Sequence, residues 1–150
     1  MPLIAVLQEV NNNDAGDATA STWHKRLINT AQYNSIGLSV SNGNITLPAG
    51  VYHIRGSSPA YSVNYHVIRL ADSTNTTIYV NTATNGWSST TATIERSTIE
   101  SVITFAATTT IALWHWTENA KQGNGLGFGG RVGATGANYV YAQLTLTKFA

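Results

Sequence analysis

Apolar and polar residues alternate along much of this chain with a period of two. In Val51-Tyr52-His53-Ile54-Arg55, Tyr52 and Ile54 fall on one face, and Val51, His53 and Arg55 on the other. Val63, Tyr65, Val67 and Arg69 likewise oppose Asn64, His66, Ile68 and Leu70. Ile111, Leu113 and His115 oppose Ala112, Trp114 and Trp116. Near the end, Val140, Ala142, Leu144 and Leu146 oppose Tyr139, Tyr141, Gln143 and Thr145. Shorter candidates are Leu3 to Leu7, Trp23 to Asn29 (a strand or a short helix), Ile36 to Val40, Ile45 to Leu47 and Thr77 to Val80. Thr91 to Phe105 is β-branched almost throughout and reads as one bent strand or two short ones.

Turn formers separate these runs: Asn11 to Asp17, Ser41-Asn42-Gly43-Asn44, Asp72 to Asn75, and Asn85-Gly86. Gly56 to Ala60, with a Gly and a Pro, predicts a bulge or bend. About nine or ten short strands at this spacing, with no sustained helical period, predict an all-β sandwich or barrel.

Composition sharpens the picture. Charged residues are 10% of the 150, and the net charge is +1, which disfavours a nucleic-acid binder. The polar share rests on 21 Thr, 14 Asn and 12 Ser, residues of strands and turns. So little charge also suits surfaces that face other protein copies. No apolar stretch approaches a membrane-spanning length, and the first residues lack the basic start of a signal peptide. We expect no membrane span and a chain that begins at its own initiator methionine. The chain has no cysteine, so disulfides and thiolate metal sites are excluded.

Candidate chemistry is sparse. His24, His53, His66 and His115 form no metal-binding spacing, although His53 and His66 lie on runs that a sheet could bring side by side. Asp14 and Asp17 read better as solvated turn residues than as calcium ligands. No nucleophile elbow exists, and Gly123-Asn124-Gly125-Leu126-Gly127 lacks the flanking strand and helix of a dinucleotide site. We expect no enzyme, no metal and no cofactor. Trp87, beside Asn85 in a predicted exposed turn, is the candidate for a ligand-binding loop. Trp114 and Trp116 read as core or interface packing.

Five segments, taken together, carry a family resemblance. They are Trp23-His24-Lys25-Arg26-Leu27-Ile28-Asn29, Leu47 to Ile54, Ser58 to Leu70, Gly127-Phe128-Gly129, and Tyr139 to Lys148. Their order and spacing resemble the C1q-like and tumour-necrosis-factor-like jelly rolls, especially those of bacteriophage structural proteins. The resemblance implies a β-sandwich of about eight to ten antiparallel strands, assembled as a homotrimer. Under it, Tyr139, Tyr141, Gln143 and Trp23 are the expected trimer interface. The tyrosine–amide row opposite the aliphatic row of the last strand gives an independent reason, since a lone sandwich would leave it to water.

Two functions follow as expectations. The first is a virion structural protein on the outer capsid surface, made in the host cytoplasm, a decoration (cement) protein binding the phage's major capsid protein. Residues 1–20 would then be an N-terminal anchor bearing Leu3, Ile4, Val6 and Leu7, followed by a jelly-roll domain over residues 21–150. The second is the receptor-binding head of a tail or head fibre, presenting Trp87 to a host-surface glycan.

Overall fold

The computed structural model describes residues 1–81, 86–89, 91–129 and 138–149. Among these residues, two antiparallel sheets stack face to face. The five-stranded sheet runs β10 (Ile94–Phe105), β6 (Gly50–Tyr61), β12 (Tyr139–Lys148), β1 (Leu3–Asn11), β3 (Thr30–Asn34). The seven-stranded sheet runs β4 (Ser39–Ser41), β5 (Asn44–Leu47), β11 (Thr109–Thr117), β7 (Tyr65–Asp72), β8 (Ile78–Val80). In that second sheet β2 (Thr22–Lys25) also pairs with β11, and β9 (Gly86–Trp87) with β7.

The period-two rows become the sandwich interior. Tyr52 and Ile54 meet Leu144 and Leu146 on one sheet, and Ile68, Leu70, Ile111 and Leu113 face them from the other. All of these are fully buried, which at about 1.5–3 kcal/mol per large apolar side chain is what drives the two sheets together. A second, smaller apolar cluster of Ala18, Ala60, Val63 and Leu126 closes one end.

Local chemistry sets the turns. Asn42 and Gly43 have φ of 49° and 77°, the pair of positive values that a tight β4–β5 hairpin requires. The Asp72 carboxylate accepts from the backbone N–H groups of Thr74, Thr76 and Thr77, which folds the β7–β8 connection around it.

Several expectations need correction. Residues 3–11 are no separable anchor. They form β1, seated between β12 and β3, with Ala5 and Leu7 fully buried, so Leu7 is core and the boundary at residue 20 divides one folded unit. Gly56 to Ala60 does not bend out of register: β6 pairs with β10 without interruption from Gly50 to Tyr61. Of the two alternatives for Thr91 to Phe105, the structure takes the single strand, spanning Ile94–Phe105. Of Trp23 to Asn29, only Trp23 to Lys25 lies in a strand, β2; Arg26 to Asn29 lies beyond its end. His53 and His66 are not neighbours, because β6 and β7 belong to different sheets.

Candidate functional site

Apart from the apolar core, three regions have enough organisation to act. The first is the outer face of the five-stranded sheet. Its registers line up one row across all five strands: Thr98, Ser57, Gln143, Gln8 and Thr30. The next row is Glu100, Arg55, Thr145, Val6 and Tyr33. Beyond it come Val102, His53, Thr147 and Ile4. Among the described residues, charge lies on the β10–β6 side, where Arg96 donates from Nε to Ser57 Oγ at 3.2 Å, and Glu100 accepts from His53 Nε2 at 2.7 Å and lies 3.6 Å from Arg55 Nε. On the β12–β1–β3 side the described residues of this face are neutral, with Tyr33 and Ile4 exposed at 54% and 38%; Val102, opposite His53, is exposed at 64%. A shallow hollow of about 520 Å³ lies where Arg55, Ser57, Thr98, Glu100, Gln143 and Thr145 meet.

The tyrosines expected on this face are treated differently from Gln143. Tyr141, expected at the trimer interface, is already buried by its own chain. Its hydroxyl donates to the Asn13 carbonyl at 2.7 Å, and the glycine-rich segment lies directly on its ring. A Cβ on Gly127 would sit 2.4 Å from Tyr141 Cδ1, so only glycine allows that approach. Tyr139 is half-buried beside Gly129. The Asp14 and Asp17 carboxylates hold the same segment down by accepting from the N–H groups of Gly129 and Gly123; Asp17 is exposed, as expected of a turn residue, and Asp14 is half-buried. Trp23 is not on this face at all; β2 belongs to the other sheet.

The second region lies inside. Arg26, 1% exposed, donates from Nε to Glu9 at 2.8 Å and from Nη1 to the Leu126 carbonyl at 2.7 Å. Ser58 Oγ and Arg26 Nη1 converge on His115 Nδ1 at 3.1 and 3.5 Å, so that nitrogen accepts. His115 Nε2–H therefore donates to His66 Nδ1 at 2.9 Å. That leaves His66 Nε2 as a donor without a partner among the described residues, packed against Gly86. Burial, reinforced by the Arg26 charge, pushes His66 down to about 4 and His115 well below the usual histidine range, so both are neutral at pH 7. Ser58 and His115 have the contact of a nucleophile and its base, but both are fully buried, and His115's other nitrogen meets a histidine, not a carboxylate. This arrangement ties the two sheets together.

The third region is the outer face of the seven-stranded sheet, where Trp23 pairs with Trp116 and Trp87 with Tyr65. Trp87 is 58% exposed, and Asn85 lies outside the described residues. Sequence reasoning missed Gln8, Glu9, Arg26 and Ser58. Arg26 had a signal, a cation within the Trp23 to Asn29 segment, but nothing local says that Glu9 waits opposite.

The architecture defines a C1q/TNF-like jelly roll. Crystal structures of murine APRIL superpose with TM-scores of 0.59 at pH 8.5 and 0.61 at pH 5.0, covering 99% of this chain and 100% of theirs at 13% and 11% identity. The globular domain of zebrafish complement 1qA protein gives 0.59 at 10% identity, covering 100% of this chain and 98% of its own. No protein-family profile and no curated protein matches the chain. At such identities the likeness is one of fold.

Proposed function

We propose that this protein is a binding and structural module, not an enzyme, and that it acts as a homotrimer joined through the open outer face of the five-stranded sheet. One observation carries the reading: a neutral amide and hydroxyl row, Thr98–Ser57–Gln143–Gln8–Thr30, crosses that face with exposed Ile4, Val102 and Tyr33 nearby. A monomer would leave Val102 in water, and Ile4 and Tyr33 in water beside the uncharged Thr145, Thr147 and Val6. Sedimentation velocity at micromolar concentration should give a trimer. Replacing Gln143 with Arg should drive it to monomer, because three like charges would crowd the axis. A monomeric wild type overturns the proposal.

The particular role we propose is a bacteriophage capsid decoration protein that clasps the major capsid protein on the outer shell. Its support is the resemblance of Leu47 to Ile54 and Ser58 to Leu70 to phage jelly rolls. Since β1 is built into the sheet, shell contact falls to the trimer's exterior instead of a free N-terminal arm. A second reading, a fibre head that recognises a surface glycan, is favoured by the exposure of Trp87.

A further inference from the structure

The chain has four tryptophans, and all four lie on the outer face of the seven-stranded sheet. The main core uses Tyr52 and Phe105 as its buried aromatics and no indole. Register arranges this outer face in three rows. Lys25, Trp114 and Arg69 form the first; Trp23, Trp116 and Val67 the second; Tyr65 and Trp87 the third. Successive rows on one strand face are about 6.6–6.8 Å apart, so the rings make a continuous stripe. Tyr65 meets Trp116 edge to face at 5.9 Å.

The stripe also holds two cations without acidic partners. The Arg69 guanidinium lies 4.0 Å from the Trp23 ring, and Lys25 Nζ 5.4 Å from that of Trp114. Arg69 donates to the Asn75 side-chain and backbone oxygens, and Lys25 to the Asn44 side-chain oxygen; all are neutral acceptors. Among the described residues neither cation has a carboxylate within salt-bridge distance. The two acids nearby are occupied elsewhere: Asp72 by the Thr74, Thr76 and Thr77 amides, and Glu118 by the Asn64 amide and the Tyr65 N–H.

We propose that this face is a binding platform for an acidic saccharide. Sugar rings would lay their C–H faces on Trp116 and Trp87, whose ring faces are electron-rich, while a sugar carboxylate meets Arg69 and Lys25. The unpaired charge selects the anion, and the flat aromatic face selects a sugar ring over a peptide, which binds at a sheet edge or in a groove. A second copy is disfavoured, since two such faces would bring cation against cation. The inference deepens the glycan-recognition reading and rests on it; it is independent of trimer formation, which uses the opposite sheet.

The test is a titration of tryptophan fluorescence with alginate oligomers, with neutral cello-oligosaccharides and poly-glutamate as comparisons. Alginate oligomers should bind and shift the emission, and the binding should weaken with salt. Arg69→Gln and Trp87→Ala should each weaken it by roughly tenfold or more, with unchanged circular dichroism. If Arg69→Gln fails to fold, Lys25→Gln serves the same purpose. Equal binding of the cello-oligosaccharide, or no effect of the charge variants, overturns the acidic assignment while leaving glycan recognition standing. Poly-glutamate binding as tightly as alginate overturns the saccharide. Failure of both glycans to bind overturns the platform and the glycan reading together.

Discussion

The interior of the sandwich has two halves built on opposite rules. In one, Leu7, Ile54, Leu113 and Leu144 belong to a single apolar cluster. In the other, four strands carry an inward polar group: Glu9 next after Leu7 on β1, Ser58 beyond Ile54 and Gly56 on β6, His115 next after Leu113 on β11, and His66 next before Ile68 on β7. Arg26 enters from the loop after β2 to join them. The apolar half tolerates any contact that fills space. The polar half demands particular partners at particular distances, because an unmatched buried donor or charge is costly. The difference teaches where this fold is rigidly specified: at the end where the glycine-rich segment closes over it.

The largest expected effect breaks the polar half at its centre. Arg26→Met should cost about 3–5 kcal/mol in urea unfolding, because it strands the Glu9 carboxylate without its cation. Adding Glu9→Leu should recover most of that loss, since a matched apolar pair replaces a matched ionic one. In the apolar half, Leu144→Ala should cost about 2–5 kcal/mol, and no single polar partner exists whose removal would restore it. Failure of the double variant to recover would mean that the ion pair stabilises beyond charge balance.

Acid should sharpen the same contrast next. His66 falls from an ordinary value of 6.5 to about 4, chiefly by desolvation and then by Arg26; His115 moves the same way, with Arg26, His66 and His24 adding to burial. Glu9 faces the same group of side chains from β1, and Arg96 feels the Arg26 charge from β10. The unfolded chain therefore binds more protons than the folded one between pH 6.5 and about 4. Stability should be complete above that window and fall as pH drops through it, by about 1.4 kcal/mol for each tenfold change in proton affinity. Asp72, whose carboxylate is held well below its ordinary range by backbone N–H groups, acts only at lower pH, so the window belongs to the histidines. Thermal melts of His66→Gln should show a flatter slope between these limits. An unchanged slope would remove His66 from the account.

How much of this was legible in the sequence follows from the range of each interaction. Tyr52 and Ile54, or Ala142, Leu144 and Leu146, announce their faces through local alternation, and the structure keeps them there. Pairing between distant strands leaves no local trace. Leu3 to Leu7 reads as a strand, but only long-range register shows it pressed between β12 and β3. Gly56 suggests a bend by its lack of a side chain, yet its role is space: a Cβ there would lie 2.8 Å from Leu144 Cδ2. The buried network is the least legible, because Glu9, Arg26, Ser58, His66 and His115 come from five separate segments. Each looks like an ordinary surface residue until the strands are aligned.

The smallest effect tests how the closing segment is held over the polar half. Tyr141→Phe removes the hydroxyl that donates to the Asn13 carbonyl and keeps the ring against Gly127 and Gly129. The loss should be about 0.5–1.5 kcal/mol, the net worth of one hydrogen bond. Burial, with the Asp14 charge beside it, pushes the Tyr141 hydroxyl up to about 12, so it remains a donor well into alkaline solution. Spectrophotometric titration of the variant should accordingly lack the last tyrosine to ionise. Because the ring is covered by its own chain, sedimentation should be unchanged, whereas Gln143→Arg on the same strand should alter it. Dissociation of the Tyr141→Phe protein would mean that the closing segment and the subunit contact are one structure, and the division between the covered and open parts of this sheet would have to be redrawn.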